Sequence, residues 1–160
     1  MKPPTPRAPF SHWPVQEMDP EFGFFWWLDR ATVVSQSFVP RFTVACAKAI
    51  HTRVDRVLAA KKDEVARENG LLMLHDWRSV DGYDREARQE FLDRTRARGR
   101  GYLRRSIIAV HTNPLVRMTI QSGCMLVSVF LGVSVDVVDD PTRTVGKLGL
   151  LPPPPGTPFP

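Results

Sequence analysis

The stretch Gly70-Leu-Leu-Met-Leu-His-Asp-Trp77 is a short apolar run that ends abruptly in polar residues and gives way to a charged helical pattern. Its apolar part, residues 71–74, does not alternate between apolar and polar side chains, which is typical of a strand covered on both faces. Residues 106–112 form a second run of the same kind, apolar over residues 107–110. We expect these two runs to lie side by side and parallel at the centre of one sheet.

Three helical patterns surround these strands. The first runs from residue 38 to about residue 61, with apolar residues spaced three or four apart. The second, residues 83–98, is strongly charged and has only a thin apolar edge. The third begins with Asn113 as its cap and Pro114 at its first position, and ends near Gly132.

Two further sequence patterns predict the other strands. Residues 22–28 and 31–36 are rich in aromatic and β-branched side chains, and the Asp-Arg pair between them allows a tight reversal, so they indicate a β-hairpin. Residues 133–138 alternate between valine and polar residues, as an edge strand does, and a short helix follows over residues 140–147. The predicted fold class is α/β, a single mixed sheet with an N-terminal hairpin and helices packed on it.

Both ends of the chain are rich in proline, which breaks helices and cannot donate to a strand ladder. We expect residues 1–20 and 151–160 to be disordered or extended tails around one domain, residues 21–150. The four prolines that begin at Pro152 favour polyproline II, which can dock in an aromatic groove; a solvated tail is the alternative.

The sequence carries few signs of compartment or catalysis. It begins without a secretory apolar segment, and its two cysteines, Cys46 and Cys124, fall within apolar helical patterns. We therefore expect a cytoplasmic protein whose thiols are reduced and packed in the core. The sequence has no phosphate-binding loop, dinucleotide-binding glycine pattern, Cys-x-x-Cys or His-Glu-x-x-His motif. We expect no enzymatic activity, no cofactor and no metal.

One uncharged stretch of the sequence has to be considered as a candidate membrane-spanning segment. Residues 118–135 contain no charged side chain over 18 positions, a length that approaches a membrane span. Polar and glycine residues interrupt the window, and its end changes to the period of a strand. We therefore expect a buried helix followed by a strand rather than a transmembrane segment.

The order of hairpin, helix, strand, helix, strand, helix, strand and short helix resembles the SpoIIAA-like, or STAS-like, fold over about residues 20 to 150. The segment His75-Asp-Trp-Arg-Ser-Val-Asp-Gly-Tyr-Asp84, followed by Glu86-Ala-Arg88, is similar to a small bacterial group of uncharacterised STAS/SEC14-like proteins with an HDW-x(5)-Y pattern. This resemblance implies a non-catalytic domain for regulation or partner binding. In such domains a serine at the start of the helix after this strand is sometimes phosphorylated.

Ser79 is the serine nearest to that regulatory position and is the candidate for phosphorylation. The Asp-Ser-Ser-Gly type of turn found in anti-sigma-factor antagonists is absent from this sequence. The alternative is that Ser79 or Asp81 accepts hydrogen bonds from backbone N–H groups at the helix start.

In open α/β sheets, ligands meet the carboxyl ends of parallel strands, because loops and helix N-termini converge there. The candidate partner-binding residues at this edge and in the loop beyond it are His75, Asp76, Trp77, Ser79, Asp81, Tyr83, His111, Thr112 and Asn113. His75 and Asp76 are neighbours and should point to opposite faces of the sheet, which disfavours a shared metal site or catalytic pair. The alternative is that these polar groups satisfy loops and the histidines pack in the core.

A basic stretch carries the whole positive balance of the chain, whose net charge is +5. Its six arginines are Arg94, Arg96, Arg98, Arg100, Arg104 and Arg105. Such a stretch suits an anionic partner, either nucleic acid or an anionic membrane surface. Arg94 and Arg98 share a helix face but Arg96 does not, so a solvated helix end followed by a basic loop is the alternative.

These patterns predict a non-enzymatic regulatory or protein-interaction module whose partner is another protein. A module that binds an anionic partner is the second hypothesis. The third is a carrier of an apolar ligand between the first helix and the aromatic hairpin residues Phe24, Phe25, Trp26 and Trp27, although core packing alone also explains these four side chains. The sequence does not decide between monomer and dimer.

Overall fold

The computed structural model describes residues 2–111 and 113–160. Its strands are β1 (Glu17–Asp19), β2 (Gly23–Leu28), β3 (Thr32–Ser37), β4 (Arg41–Phe42), β5 (Leu71–Trp77), β6 (Gly82–Tyr83), β7 (Leu103–Val110) and β8 (Ser134–Val138). Its helices are α1 (Val44–Ala60), α2 (Lys62–Arg67), α3 (Arg85–Arg98), α4 (Pro114–Leu131) and α5 (Pro141–Leu148).

Six of the strands form one mixed sheet in the order β1-β2-β3-β5-β7-β8. The first three are antiparallel, whereas β3, β5, β7 and β8 are parallel to one another. The strands β5 and β7 are neighbours, with Leu74 opposite Ile107. The predicted central parallel pair, the hairpin of β2 and β3, and the edge strand β8 are all confirmed, and so is the α/β class.

One face of the sheet is covered by α1, α3 and α4. The helix α1 buries a single apolar stripe, which includes Cys46, Ile50 and Val54, in one hydrophobic cluster with Met73 of β5. The inner side of α4, including Val127, belongs to the same cluster. This is the larger of the two cores.

The opposite face is covered by the N-terminal segment and α5. Phe10 and Trp13 are buried there and pack against Trp26 of β2, whose indole Nε1 donates to the carbonyl oxygen of Pro14 at 2.8 Å. At the other end of the chain, Phe159 is buried on the α1 side of the sheet, with its ring against Phe25. The two proline-rich ends, expected as disordered or extended tails, pack on the sheet at these positions, and β1 lies before the expected domain boundary at residue 21. Bulky aromatic residues within the proline-rich ends gain more from burial than the prolines cost.

Two helices begin later than their apolar patterns suggest. The first starts at Val44 instead of residue 38, because the short strand β4 pairs with β6 in a separate parallel sheet before Thr43 caps the helix. The same pairing delays the start of α3 to Arg85, with Asp84 at the N-cap position. Neither Ser79 nor Asp81 caps this helix, which corrects that expectation.

Candidate ligand-binding cavity

The strand β5 ends in two polar side chains that lie on opposite faces of the sheet. On the side of α1 and α3, the Nδ1 atom of His75 shares a hydrogen bond of 2.7 Å with the hydroxyl of Ser35. On the other side, Gln36 donates from Nε2 to Oδ2 of Asp76 at 2.8 Å. The register of β3 and β5 sets Ser35 opposite His75 and Gln36 opposite Asp76. The expectation that these two neighbours point apart is confirmed.

Asp76 is fully buried and tethers the N-terminal segment. Arg78 donates from Nε to one carboxylate oxygen and from Nη2 to the other, both at 2.8 Å, and this bonding raises the pKa of Arg78. The same Nη2 donates to the carbonyl of Ala8 at 2.6 Å, while Gln36 bonds both the backbone N–H and the carbonyl of Arg7. Since this carboxylate is enclosed by the protein's own donors, its role is structural.

On the other face, a cavity of about 110 Å³ lies between the sheet and the helices α1, α3 and α4. Its walls are mostly apolar. Among the side chains that line it are Ile50, Met73, Phe91, Ile108, Ile120 and Val127.

Two hydrogen-bond donors in the lining of this cavity have no acceptor. The indole Nε1 of Trp77 is buried, and no group of the described residues accepts from it. The same is true of Nε of Arg88, whose Nη2 reaches only the hydroxyl of Ser122 at 3.4 Å. A buried donor without a partner costs about 1–3 kcal/mol, so an acceptor that came within reach of either nitrogen would be stabilised.

Two buried histidines also line the cavity, and both are neutral at pH 7. Burial lowers the pKa of His75 to about 3. Burial and then the nearby Arg98 lower the pKa of His51 to about 4. His51 donates from Nε2 to the carbonyl of Phe91 at 3.1 Å and accepts at Nδ1 from Arg98 at 2.9 Å, an assignment that satisfies both nitrogens. The histidines therefore add polarity but no charge to the cavity.

The thiol of Cys124 lines the same cavity from α4. Burial raises its pKa to about 12, so the thiol is protonated at neutral pH. A protonated, buried thiol is a weak nucleophile. The expectation of a core cysteine agrees with this environment.

No protein-family model and no curated protein matches the chain. Among solved structures, the chain is similar to an uncharacterised protein of the DUF3478 family with a SpoIIAA-like fold from Shewanella loihica PV-4. The two share 15% sequence identity and a TM-score of 0.52, and the match covers 73% of this chain and 83% of that chain. The chain has a SpoIIAA-like fold. The likeness concerns the fold and carries no activity to this chain.

The SpoIIAA-like sheet separates the predicted partner-binding residues, which lie in the cavity, on the opposite face, or in loops and helix ends. His75, Trp77 and Tyr83 line the cavity, whereas Asp76 lies on the opposite face. Buried side chains such as His75, Asp76 and Trp77 do not form an accessible docking rim. That rim was expected because the sequence does not show how deeply the strand ends are covered.

The remaining predicted residues serve loops and helix ends. The hydroxyl of Ser79 donates to the carbonyl of Ser37 at 2.9 Å, and Asp81 is exposed. Asn113 caps α4 by accepting from the N–H of Leu115 at 3.0 Å, and its own N–H donates to Nδ1 of the exposed His111. Thr112 lies outside the described residues.

The six arginines of the basic stretch all contact groups within the protein. Four of them form ion pairs: Arg94 with Glu90, Arg98 with Asp55, Arg104 with Glu68 and Arg105 with Asp136. Arg96 lies over the ring of Phe130, and Arg100 donates to that residue's carbonyl oxygen. These contacts use the stretch to hold α3, α4 and the strand ends together, and they leave less of its charge for an anionic partner.

The uncharged window seen in the sequence forms the helix α4 followed by the strand β8, as expected. The helix is long and apolar enough to cross a membrane by length and composition, but only 22% of it is buried, so the expectation of a buried helix is wrong. It lies between β7 and β8, which are neighbours in the same sheet. A membrane span here would require this β-α-β unit to come apart.

The aromatic hairpin does not hold the cavity. Phe24 and Trp26 belong to the core on one face of the sheet, and Phe25 and Trp27 to the core on the other. The cavity lies instead beside β5, β7 and β8, which corrects the predicted location of an apolar-ligand site.

Sequence reasoning missed the cavity residues that come from helices, above all His51, Arg88 and Gly123. One signal was present: His51 stands beside Ile50 in the apolar stripe of α1, where a polar residue is unexpected. Arg88 and Gly123 gave no such signal, because their proximity to Trp77 depends on how α3 and α4 pack on the sheet.

Proposed function

We propose that this protein binds a small apolar molecule that carries a hydrogen-bond acceptor, in the cavity between the sheet and the helices α3 and α4. The observation that carries this proposal concerns Trp77 and Arg88, two residues of a mostly apolar lining: Nε1 of the first and Nε of the second have no acceptor among the described residues. It is a form of the apolar-carrier hypothesis, moved from the hairpin to the helix-covered strands.

The chemistry of the two donors restricts the class of ligand that can bind. Indole and guanidinium nitrogens only donate, so the ligand must supply acceptors. The guanidinium of Arg88 also brings a positive charge, and hydrogen bonds in which a partner is ionised are stronger than neutral ones. A carboxylate or a similar oxyanion at one end of an apolar body matches this lining best.

The size of the cavity limits the apolar body. An engineered apolar cavity of about 150 Å³ holds one benzene molecule, so a cavity of about 110 Å³ is too small for an aromatic ring and suits a short aliphatic chain. A longer chain would need α4 to move outward, and the mostly exposed surface of this helix makes it the part of the lining that is least restrained.

We propose binding without chemical conversion. The thiol of Cys124 is protonated, and Nδ1 of His75 is occupied by the Ser35 hydroxyl. Covalent catalysis requires a nucleophile that can reach the ligand, but the Ser35 hydroxyl beside His75 is fully buried and does not line the cavity.

A regulatory or protein-interaction role is compatible with ligand binding. Its specific support is the exposed apolar side of α4 rather than the strand ends. Phosphorylation of Ser79 would break the hydrogen bond of its hydroxyl to Ser37 and place charge beside the chain entering β4. A Ser79→Asp variant with unchanged partner binding would remove the phosphorylation hypothesis.

Nuclear magnetic resonance tests the ligand proposal directly, because each indole N–H gives its own signal. The Trp77 signal is assigned as the one lost in Trp77→Phe. We expect pentanoate to shift that signal, because its carboxylate can accept from Nε1. Pentylammonium, which has the same number of carbon atoms but no acceptor, is expected to leave it in place.

Affinity measurements on matched variants complete the test. Losing a hydrogen bond to a charged group costs about 1.5–3 kcal/mol, so Trp77→Phe should weaken pentanoate binding by roughly 10- to 100-fold. Trp13→Phe alters a tryptophan on the other face of the sheet and should leave binding unchanged. If millimolar pentanoate moves neither the Trp77 signal nor the melting temperature, the proposed function is wrong.

A further inference from the structure

The helix α4 has two apolar sides, of which only one is covered. Its inner side buries Val116, Cys124, Val127 and Leu131. The outer side carries five large apolar residues, here called the outer stripe: Leu115, Met118, Met125, Leu126 and Val129, which are 70%, 62%, 69%, 37% and 66% exposed. A helix that is apolar on both sides is normally enclosed on both sides.

The spacing of the outer stripe matches a second helix. Positions 115, 118, 122, 125 and 129 follow one another at intervals of three, four, three and four residues. This is the heptad period, by which two helices keep one seam in contact. Four of these positions hold large apolar residues, and the central one is Ser122.

Four of the five residues of the outer stripe also lie symmetrically about Ser122. Leu115 lies seven residues before it and Val129 seven residues after; Met118 lies four before and Leu126 four after. Two copies of α4 crossing antiparallel at Ser122 would therefore set Leu115 of each against Val129 of the other. A two-fold interface needs such self-complementarity, and a small residue at the crossing point allows the helix axes to approach closely.

The charges of α4 favour a second copy over an anionic membrane. The helix contains no acidic residue, no lysine and one arginine, Arg117, which pairs with Asp139. Helices that lie on membranes usually carry several basic residues and a tryptophan or phenylalanine on the apolar face, whereas the outer stripe contains neither aromatic residue. Three arginines from outside α4 contact it: Arg88 donates to the Ser122 hydroxyl, Arg96 lies over the ring of Phe130, and Arg100 donates to the carbonyl oxygen of Phe130.

The exposed area suits a dimer. With the exposures given above, the five side chains leave roughly 500 Å² of apolar surface in water, the size at which a patch marks an interaction site. This is more than half of the ~800 Å² that each partner contributes to a stable pair. Polar neighbours along α4, such as Gln121 and Ser122, would supply the rim.

We propose that the outer stripe is the interface of a homodimer in which two α4 helices cross antiparallel at Ser122. The partner is a second copy of this chain. Because the inner side of α4 lines the cavity, the same interface would hold the cavity's outer wall in place, although the dimer does not depend on the ligand proposal.

Sedimentation equilibrium of the full chain tests the assembly. We expect a monomer of 18.1 kDa in dilute protein and twice that mass at higher concentration. Met125→Lys buries two charges at the two-fold contact and should weaken the dimer by about 100-fold or more. Ala59→Lys adds the same charge to the exposed side of α1 and should leave the dimer intact.

Cross-linking tests the geometry. Mild oxidation of Ser122→Cys should join two chains through a disulfide, because position 122 of each copy faces the other at the crossing point; Ala59→Cys should not. The proposal is overturned if the chain stays monomeric at millimolar concentration, if Met125→Lys leaves the dimer intact, or if Ser122→Cys gives no cross-link. It is also overturned if the monomer binds anionic vesicles through the outer stripe instead of pairing.

Discussion

The helices α1 and α4 are almost equal in length, 17 and 18 residues, yet they relate to the protein in opposite ways. The first buries seven residues along one stripe, and its other side is largely polar or charged. The second buries four and exposes large apolar side chains on its outer side. The apolar content of α1 is explained by the core alone, whereas that of α4 calls for a second contact.

Both helices line the cavity, and the difference in how they pack explains why the free space lies on the side of α4. The stripe of α1 fits the sheet closely, and Arg98 ties it to α3 through both His51 and Asp55. The inner side of α4 includes Gly123, where an added Cβ would meet no heavy atom within 4 Å. Space therefore remains on the α4 side, and the tight packing of α1 closes the cavity from the other.

The largest difference is expected from removing one apolar side chain from each helix. Ile50 of α1 is 1% exposed, so Ile50→Ala should lower the free energy of unfolding by about 2–5 kcal/mol. Met125→Ala on α4 should change it by less than about 0.5 kcal/mol in dilute, monomeric protein. Urea denaturation measures both, and equal losses would show that the two helices are packed alike.

The next effect is the pH dependence of stability, which comes from the two histidines that line the cavity on the side of α1. The pKa values of His51 and His75 lie below 6.5 in the folded protein, so the unfolded chain binds protons more readily. Their contribution to stability is complete above about pH 6.5 and is lost as the pH falls toward their folded values. Together, the two histidines should lower the free energy of unfolding by about 2 kcal/mol when the pH falls from 6 to 5.

Urea titrations of matched variants at pH 7, 6 and 5 separate this effect from other groups. Replacing either histidine, as in His51→Asn or His75→Asn, should remove about half of the loss. Cys124→Ala, on α4, should leave the pH dependence unaltered, because that thiol does not titrate in this range. An unaltered slope in both histidine variants would contradict the assignment.

A smaller effect comes from exchanging glycine and alanine. Gly123→Ala should stabilise the protein by about 1 kcal/mol, because alanine is the better helix former and its methyl group meets no neighbour. Ala49→Gly on α1 should destabilise it by about 1–2 kcal/mol, since a buried methyl group is lost as well. Thermal unfolding gives both values, and a destabilised Gly123→Ala would mean that the α4 side has no spare room.

The smallest effect is expected from the ion pairs. Asp55 is 58% exposed but receives two hydrogen bonds from Arg98, so Asp55→Asn should cost about 0.5–1 kcal/mol. Asp139, which pairs with Arg117 of α4, is more exposed, and Asp139→Asn should cost less than about 0.5 kcal/mol. Urea denaturation at low and high salt measures both losses of stability. A larger loss for Asp139→Asn than for Asp55→Asn would contradict this prediction.

Much of the fold was predictable because its signals are local. The unalternating runs before His75 and His111 indicated buried parallel strands, and the alternating valines of β8 indicated an edge. The late start of α1 was not predictable, since β4 forms only by pairing with β6, about 40 residues away. The packing of Phe10 and Trp13 was missed for the same reason, as proline content describes the local chain and not what its aromatic residues meet.

The candidate site was only partly predictable. The strand pattern placed His75 and Trp77 at the end of β5 and turned Asp76 to the other face, as the structure has them. Their burial was not visible, because it depends on α3 and α4 lying over the strand ends. The partners from those helices, Arg88 and Gly123, joined the site only when the helices were placed.

The amino-acid sequence by itself determined the α/β class, the parallel centre of the sheet and the heptad spacing along α4, because periodicity and burial of neighbouring residues are properties of short segments. Only the tertiary structure decided that Nε1 of Trp77 and Nε of Arg88 have no acceptor among the described residues, and that α4 shows an apolar side to water. Both depend on which surfaces remain uncovered after every element has packed, and that is a property of the whole chain.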